Sequence, residues 1–317
     1  MSNSDFKVCP LPHTFRVLRV SKQMEKSRRT SGIFRLVVFC VLAFGGCSAR
    51  STKDTGHSST YLESRKSYST VLKTHGPAPQ DWHSERTPTG VAEVSYQSGD
   101  LTLKAWLATP KNSQSAKVPA VVYFHGGFAF GMSELGDCQP FLDAGFAVMT
   151  PTFRGENGNP GNFELLYGEV DDAQAAVLWL ADQPRIDSKR IYTFGHSVGG
   201  GISALLSLRT DIPVRRGGSS GGLYSKDVFY GWKRFVPFDL SIDKENNLRL
   251  LVGNIAFMQR EHIAYIGRKD SLAKVVPEAE FEAKQSGGPL TIIMVEGDHF
   301  SSLSAAISAF AETVRFD

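Results

Sequence analysis

The stretch "IYTFGHSVGGG", residues 191–201, opens apolar and then turns on a serine held between glycines. Gly-x-Ser-x-Gly, here Gly195 to Gly199, admits two readings. One is a strand-to-helix turn whose serine caps the helix. The other is a sharp elbow that lifts Ser197 out of the backbone as a nucleophile. The motif is short, so its surroundings must decide.

Working outward, apolar runs recur at "VPAVVYF" (118–124), "FAVMTP" (146–151), "RIYTFG" (190–195), "HIAYIG" (262–267) and "TIIMVEG" (291–297). Strands apolar on both sides suit a parallel sheet covered on both faces. "VAEVSYQ" and "LTLKAWLATP" alternate around Ser98-Gly99-Asp100 and predict a hairpin. Between the runs, "EVDDAQAAVLWLADQ", "GISALLSLR" and "SSLSAAISAFAETV" carry helical spacing, the last with Leu303, Ala306, Ile307 and Phe310 on one face. The alternation predicts an α/β fold, a mostly parallel doubly wound sheet with helices on both faces.

In that context Ser197 stands where strand passes into helix, at the sheet edge where open α/β folds place their sites. A serine hydroxyl needs a base, and the base an orienting acid. His299 follows "TIIMVEG" in "EGDHF", and Asp270 follows "HIAYIG" in "GRKDS". The order Ser, Asp, His at successive strand ends predicts a triad. An anionic intermediate needs preorganised donors. "YFHGGFAFG" (123–131) supplies a glycine loop after an early strand, and the expected oxyanion hole is the N–H of Val198 with one from Gly127 or Phe128. His125 is expected to brace that loop and His196 to pack against the sheet, while His262 has no assigned partner.

With "HGG", "GHSVGG", "GRKD" and "GDHF" in place, the chain resembles the α/β-hydrolase superfamily over about residues 91–317. It is most similar to the catalytic domain of the prolyl oligopeptidase (S9) family. The resemblance is most specific in "PTFRGENGNPGNFE" and "YGEVDDAQAAVLWLADQPRIDSKRIYTFGHSVGG", where Arg154-Gly155, Glu169, Asp171, Asp172 and Asp187 fall in the family's order. It implies Ser197 as nucleophile, Asp270 as acid and His299 as base. Two departures stand out. Only a leader and a linker precede Val91, so the family's β-propeller is not expected. "VRRGGSSGG" (214–222) falls where a buried strand should run, and its arginines and glycines do not suit one, so either that strand is short or the segment is a mobile loop at the site. The aromatics of residues 223–260, among them Tyr224, Phe229, Tyr230, Trp232, Phe235 and Phe238, either line an apolar site or pack helices onto the sheet.

Eight of the 35 Lys/Arg and two of the 32 Asp/Glu lie in residues 1–46, leaving 27 against 30 in the remainder. The basic excess belongs to a leader, and nucleic-acid binding is not expected. Lys26, Arg28, Arg29 and Arg35 precede an apolar run, Leu36 to Gly46, and then Cys47. Residues 1–47 therefore read as an export signal, with Met24 as a possible true start. "AFGGCS" resembles a bacterial lipoprotein box that would lipidate Cys47; an ordinary cleaved signal and a single anchor helix are the alternatives. The protein would then be membrane-anchored on the periplasmic or cell-surface side, or secreted. Residues 48–89 read as a flexible linker and 90–317 as the catalytic domain. Cys138 is left unpaired and reads as core filler.

No metal or nucleotide motif appears, so neither a metal nor a cofactor is expected. The expected function is a serine hydrolase forming an acyl-enzyme, a peptidase or carboxylic ester hydrolase taking a small ester or short peptide. An acyltransferase, and a non-catalytic binding protein on the same fold, are the alternatives.

Overall fold

Val118–Phe124 is apolar on both faces because it lies in the middle of a sheet. This strand, β3, pairs in parallel with β4 (Ala147–Pro151) on one side and β5 (Ile186–His196) on the other. The computed structural model describes residues 60–110 and 117–317, so Met24, Cys47 and the leader lie outside the described residues. The sheet has eight strands in the order β1-β2-β4-β3-β5-β6-β7-β8. β1 (Val91–Ser98) and β2 (Leu101–Ala108) form the expected hairpin with Ser98 opposite Leu101, and β2 joins β4 antiparallel. All other pairings are parallel, through β6 (Val214–Ser220), β7 (His262–Gly267) and β8 (Leu290–Val295).

Helices cover both faces. Along the chain they are α1 (Tyr61–Lys66), α2 (Met132–Asp137), α3 (Gln139–Asp143), α4 (Gly168–Ala181), α5 (Ser197–Leu206), α6 (Asp227–Gly231), α7 (Asp243–Asn247), α8 (Val276–Ser286) and α9 (Leu303–Arg315). Leu303, Ala306, Ile307 and Phe310 of α9 are buried together with Phe141, Phe194 and Tyr265, as their spacing predicts. Cys138 is fully buried, and its thiol donates to the Glu134 carbonyl at 3.2 Å. Among the described residues no helix is long and apolar enough to cross a membrane.

β6 departs from expectation. "VRRGGSS" forms a strand between β5 and β7, with one register shift against β5 at Arg215. Arg216 pairs with Glu261 and Asp317 at the strand's start, which keeps the guanidinium at the sheet rim. A Cβ on Gly218 would lie 2.6 Å from Phe310 and 2.8 Å from Phe194. Glycine in a strand costs about 0.5–1 kcal/mol against alanine. Forcing extra volume into a packed core costs about 1–3 kcal/mol or more, so at this contact glycine is the better residue.

Residues 60–89 also depart from the linker reading: they form a strap laid along the α/β unit. Tyr61 is buried and its hydroxyl donates to the Leu248 carbonyl at 3.1 Å. Arg65 donates to both oxygens of Asp171. Tyr68, Thr70 and the Val71 N–H all donate to the Glu245 carboxylate. Burial alone would raise that carboxyl; these donors and Arg249 outweigh burial and hold it below its ordinary value. Glu245 and Arg249 form an ion pair whose side chains are wholly buried. Removing one partner of such a pair costs about 3–5 kcal/mol, since the other charge stays buried alone. The strap therefore docks through polar anchors, which a scarcity of branched apolar residues does not reveal.

Candidate active site

The elbow is built as its glycines predict. β5 ends at His196 and α5 begins at Ser197, whose φ is 51°, the left-handed region that costs a non-glycine residue about 1–3 kcal/mol. The Gly199 N–H donates to the His125 carbonyl at 3.1 Å, tying the elbow to the loop after β3. Val198 stands in the first turn of α5, where backbone N–H groups have no intrahelical acceptor.

Loops after β7 and β8 bring the other two residues to Ser197. His299 Nε2 lies 2.9 Å from Ser197 Oγ, and His299 Nδ1 lies 2.8 Å from Asp270 Oδ2. The Asp270 side chain is 1% exposed, and its other oxygen accepts the Leu272 N–H at 2.9 Å. Burial would raise the Asp270 carboxyl, but hydrogen bonds from His299 and Leu272 and the attraction of the imidazoles outweigh it and hold the group below its ordinary value. An anion is thus kept behind the imidazole. Gly221, at the end of β6 with φ 62°, lies under this pair; a Cβ there would come within 2.7 Å of the His299 ring and 3.2 Å of Asp270.

The other histidines divide. His125 braces its loop as expected, with Nε2 3.0 Å from Glu156 and Nδ1 3.0 Å from the Gly126 carbonyl. Burial would lower its pKa, but the Glu156 carboxylate outweighs this and raises it. His196 does more than pack. Its Nε2 lies 2.9 Å from the His299 carbonyl, and the two rings meet at 5.0 Å with a tilt of 38°, so it supports the loop that carries His299. Burial pushes the His196 imidazole below its ordinary value and favours its neutral form. His262 meets Ser219 Oγ at 2.9 Å, and burial pushes it down to about 3, which makes it a neutral core residue.

The candidate oxyanion loop abuts the nucleophile: a Cβ on Gly126 would be 3.6 Å from Ser197 Cβ. The Phe128 N–H is already engaged, donating to Gln80 Oε1 of the strap at 2.9 Å. The Phe128 ring packs against Phe163, Trp232 and Phe235 at 5.0, 6.3 and 5.8 Å. The aromatic segment thus divides. Trp232 and Phe235 join the candidate oxyanion loop, while Phe229 and Phe238 are buried in the core. Tyr224, one of the aromatics weighed for the site, is buried beside Ser197 without closing a hydrogen bond to it, and burial pushes its hydroxyl up. Phe300, 75% exposed, edges onto His299 at 5.1 Å.

The residues that carried the most specific resemblance hold the scaffold. Arg154 bridges Asp172 and Glu164. Glu169 accepts the N–H groups of Glu164, Leu165 and Tyr167 and so steadies Leu165 and Leu166, both at positive φ. Burial is the main reason its carboxyl is pushed up to about 7. Asp171 holds the strap through Arg65, and Asp187 accepts the Lys189 N–H.

Residues 61–214, just under half of the chain, match the S15 peptidase family, described as X-Pro dipeptidyl-peptidase. The uncharacterized peptidase YtmA of Bacillus subtilis is 26% identical over 163 residues, 51% of this chain and 58% of that protein. The chain spans about half the length of the curated relatives it matches. Among solved structures, the Pyrococcus furiosus esterase Pf2001 superposes with a TM-score of 0.59 at 20% identity, covering 78% of this chain and 97% of the esterase. A puromycin-hydrolyzing peptidase of Mycobacterium tuberculosis gives 0.61 at 16% identity, covering 71% of this chain and 39% of the peptidase. The unit in common is therefore nearly the whole of one protein and a part of the other. That unit is the α/β-hydrolase fold, which this chain shares.

Proposed function

We propose that the protein is a serine hydrolase that cleaves a peptide or a carboxylic ester through an acyl-enzyme on Ser197. The observation that carries this is the continuous hydrogen-bond chain from Ser197 Oγ through the His299 imidazole to Asp270. In the reaction, Ser197 Oγ attacks the substrate carbonyl carbon while His299 Nε2 takes the hydroxyl proton. Asp270 orients the ring and stabilises the imidazolium that forms. The carbonyl oxygen becomes an anion, received by the N–H of Val198 and that of Phe128 or Gly127. His299 returns the proton to the leaving amine or alcohol as the carbonyl–leaving-group bond breaks. A water, deprotonated by the same imidazole, then releases the acid and restores Ser197.

The name of the matched S15 family favours a peptide, and the esterase neighbour favours an ester. The triad geometry serves both. A fluorophosphonate probe on the full chain tests the reading: it should form one adduct, on the peptide that contains Ser197. A folded protein that takes up no probe would point instead to a binding role. Side-by-side rates on p-nitrophenyl esters and aminoacyl nitroanilides then assign the bond.

Export with a lipid on Cys47 belongs to the same proposal, supported by the basic stretch Lys26–Arg35 and the short apolar run before Cys47. Cys47→Ser should move the protein from the membrane fraction to the soluble fraction. A variant that still sediments with membranes would exclude a lipid at this residue.

A further inference from the structure

Resting on the serine hydrolase reading, we infer that Gln80 is a built-in occupant of the oxyanion position, so that the strap competes with the substrate carbonyl for the site. Its carboxamide oxygen accepts the Phe128 N–H at 2.9 Å. The same oxygen lies 2.6 Å from where a Cβ on Gly127 would be. It therefore rests on the two residues from which the hole draws its second donor. A side-chain carboxamide presents the same acceptor as a scissile amide, a carbonyl oxygen on a trigonal carbon. In the resting protein one donor of the hole is spent on the protein itself.

The strap's anchors show that only this side chain need move. On one side of Gln80, Gly76 exchanges hydrogen bonds with Asn162 and Phe163, and the Ala78 N–H donates to the Gly155 carbonyl. On the other, Glu85 accepts the Met132 N–H at 2.6 Å. Trp82 packs over Gly158. The backbone is thus fixed at both ends across the loops after β3 and β4. Gln80 itself is exposed and, among the described residues, holds the site by a single hydrogen bond. A substrate carbonyl displaces it by rotation of one side chain, and the strap stays in place.

Such a competitor lowers apparent substrate affinity by the fraction of time the site is open, while turnover at saturation is unaffected. A neutral hydrogen bond of ordinary net strength corresponds to about three- to tenfold. The test uses the full chain as wild type, Gln80→Ala and Gln80→Glu, with fluorophosphonate labelling rates and p-nitrophenyl ester kinetics. Gln80→Ala should label about three- to tenfold faster and lower KM by the same factor, with kcat unchanged. Gln80→Glu should label more slowly than wild type, because a carboxylate accepts the same N–H more strongly. A fall in kcat at constant KM in Gln80→Ala would overturn the proposal, since a side chain that merely supports the oxyanion loop behaves that way. Equal labelling rates in all three would overturn it too. Absence of any Ser197 adduct in all three would remove the hydrolase reading on which it rests.

Discussion

Ser197→Ala is expected to lower kcat by about a millionfold, the scale on which removal of a triad nucleophile acts, and to leave the fold intact. Ser197 Oγ is the atom that would carry the acyl group, and no other hydroxyl meets His299 Nε2 among the described residues. Tyr224 lies close but is buried, with its hydroxyl pushed up, and does not replace it. Stability separates the nucleophile from its backbone. Ser197 holds φ at 51°, and alanine inherits that conformation with its strain. Ser197→Gly should be as inactive as the alanine variant yet more stable by about 1 kcal/mol, because glycine adopts positive φ without a Cβ penalty. Burst kinetics with a p-nitrophenyl ester and thermal unfolding of the three proteins check both parts. Turnover in Ser197→Ala within a hundredfold of wild type would reject the acyl-enzyme.

Asp270→Asn should cost about 10⁴-fold in kcat, as loss of the orienting anion does in triads where it has been replaced. The carboxylate holds His299 Nδ1 at 2.8 Å with its side chain only 1% exposed. A neutral amide there neither fixes the tautomer nor stabilises the imidazolium. The variant should still bind substrate, so KM should change far less than kcat. The acid's pH behaviour follows from its depressed pKa. The stability that Asp270 contributes is present above the ordinary aspartate range and is lost as pH falls through its folded value. Asp270→Asn should therefore flatten the acid limb of the stability curve. A tenfold effect or less on kcat would move the acid role elsewhere. Asp243 and Glu278, two further acids of this part of the chain, are not bonded to His299.

How much of this was legible in the sequence depended on what held each part together. Strands β3, β4, β5 and β7 declared themselves because burial on both faces demands unbroken apolar runs. The triad declared itself because three residue types fell at three strand ends in one order. β6 did not, because its composition answers to Phe310 and Phe194 packing across it and not to strand propensity. The strap did not, because its holds are Tyr61, Arg65 and a buried carboxylate three-quarters of the way along the chain. Gln80 left no trace for a related reason. Its partner is a backbone N–H, and backbone groups have no letter in the sequence. His196 sat inside the motif itself, but its bond is to a carbonyl 103 residues away.

One consequence of Gly221 concerns how this protein is free to change. The residue directly follows β6 and its N–H donates to the Tyr265 carbonyl of β7, yet the groups a Cβ there would meet are the imidazole and carboxylate of the triad. Any side chain placed there pushes first on His299 and only then on the sheet. The site's tolerances are therefore set partly by a place where the chain carries nothing. An engineer varying the site's surroundings has the packed rings of Phe128, Trp232 and Phe235 to change, but Gly221 offers no side chain to work with.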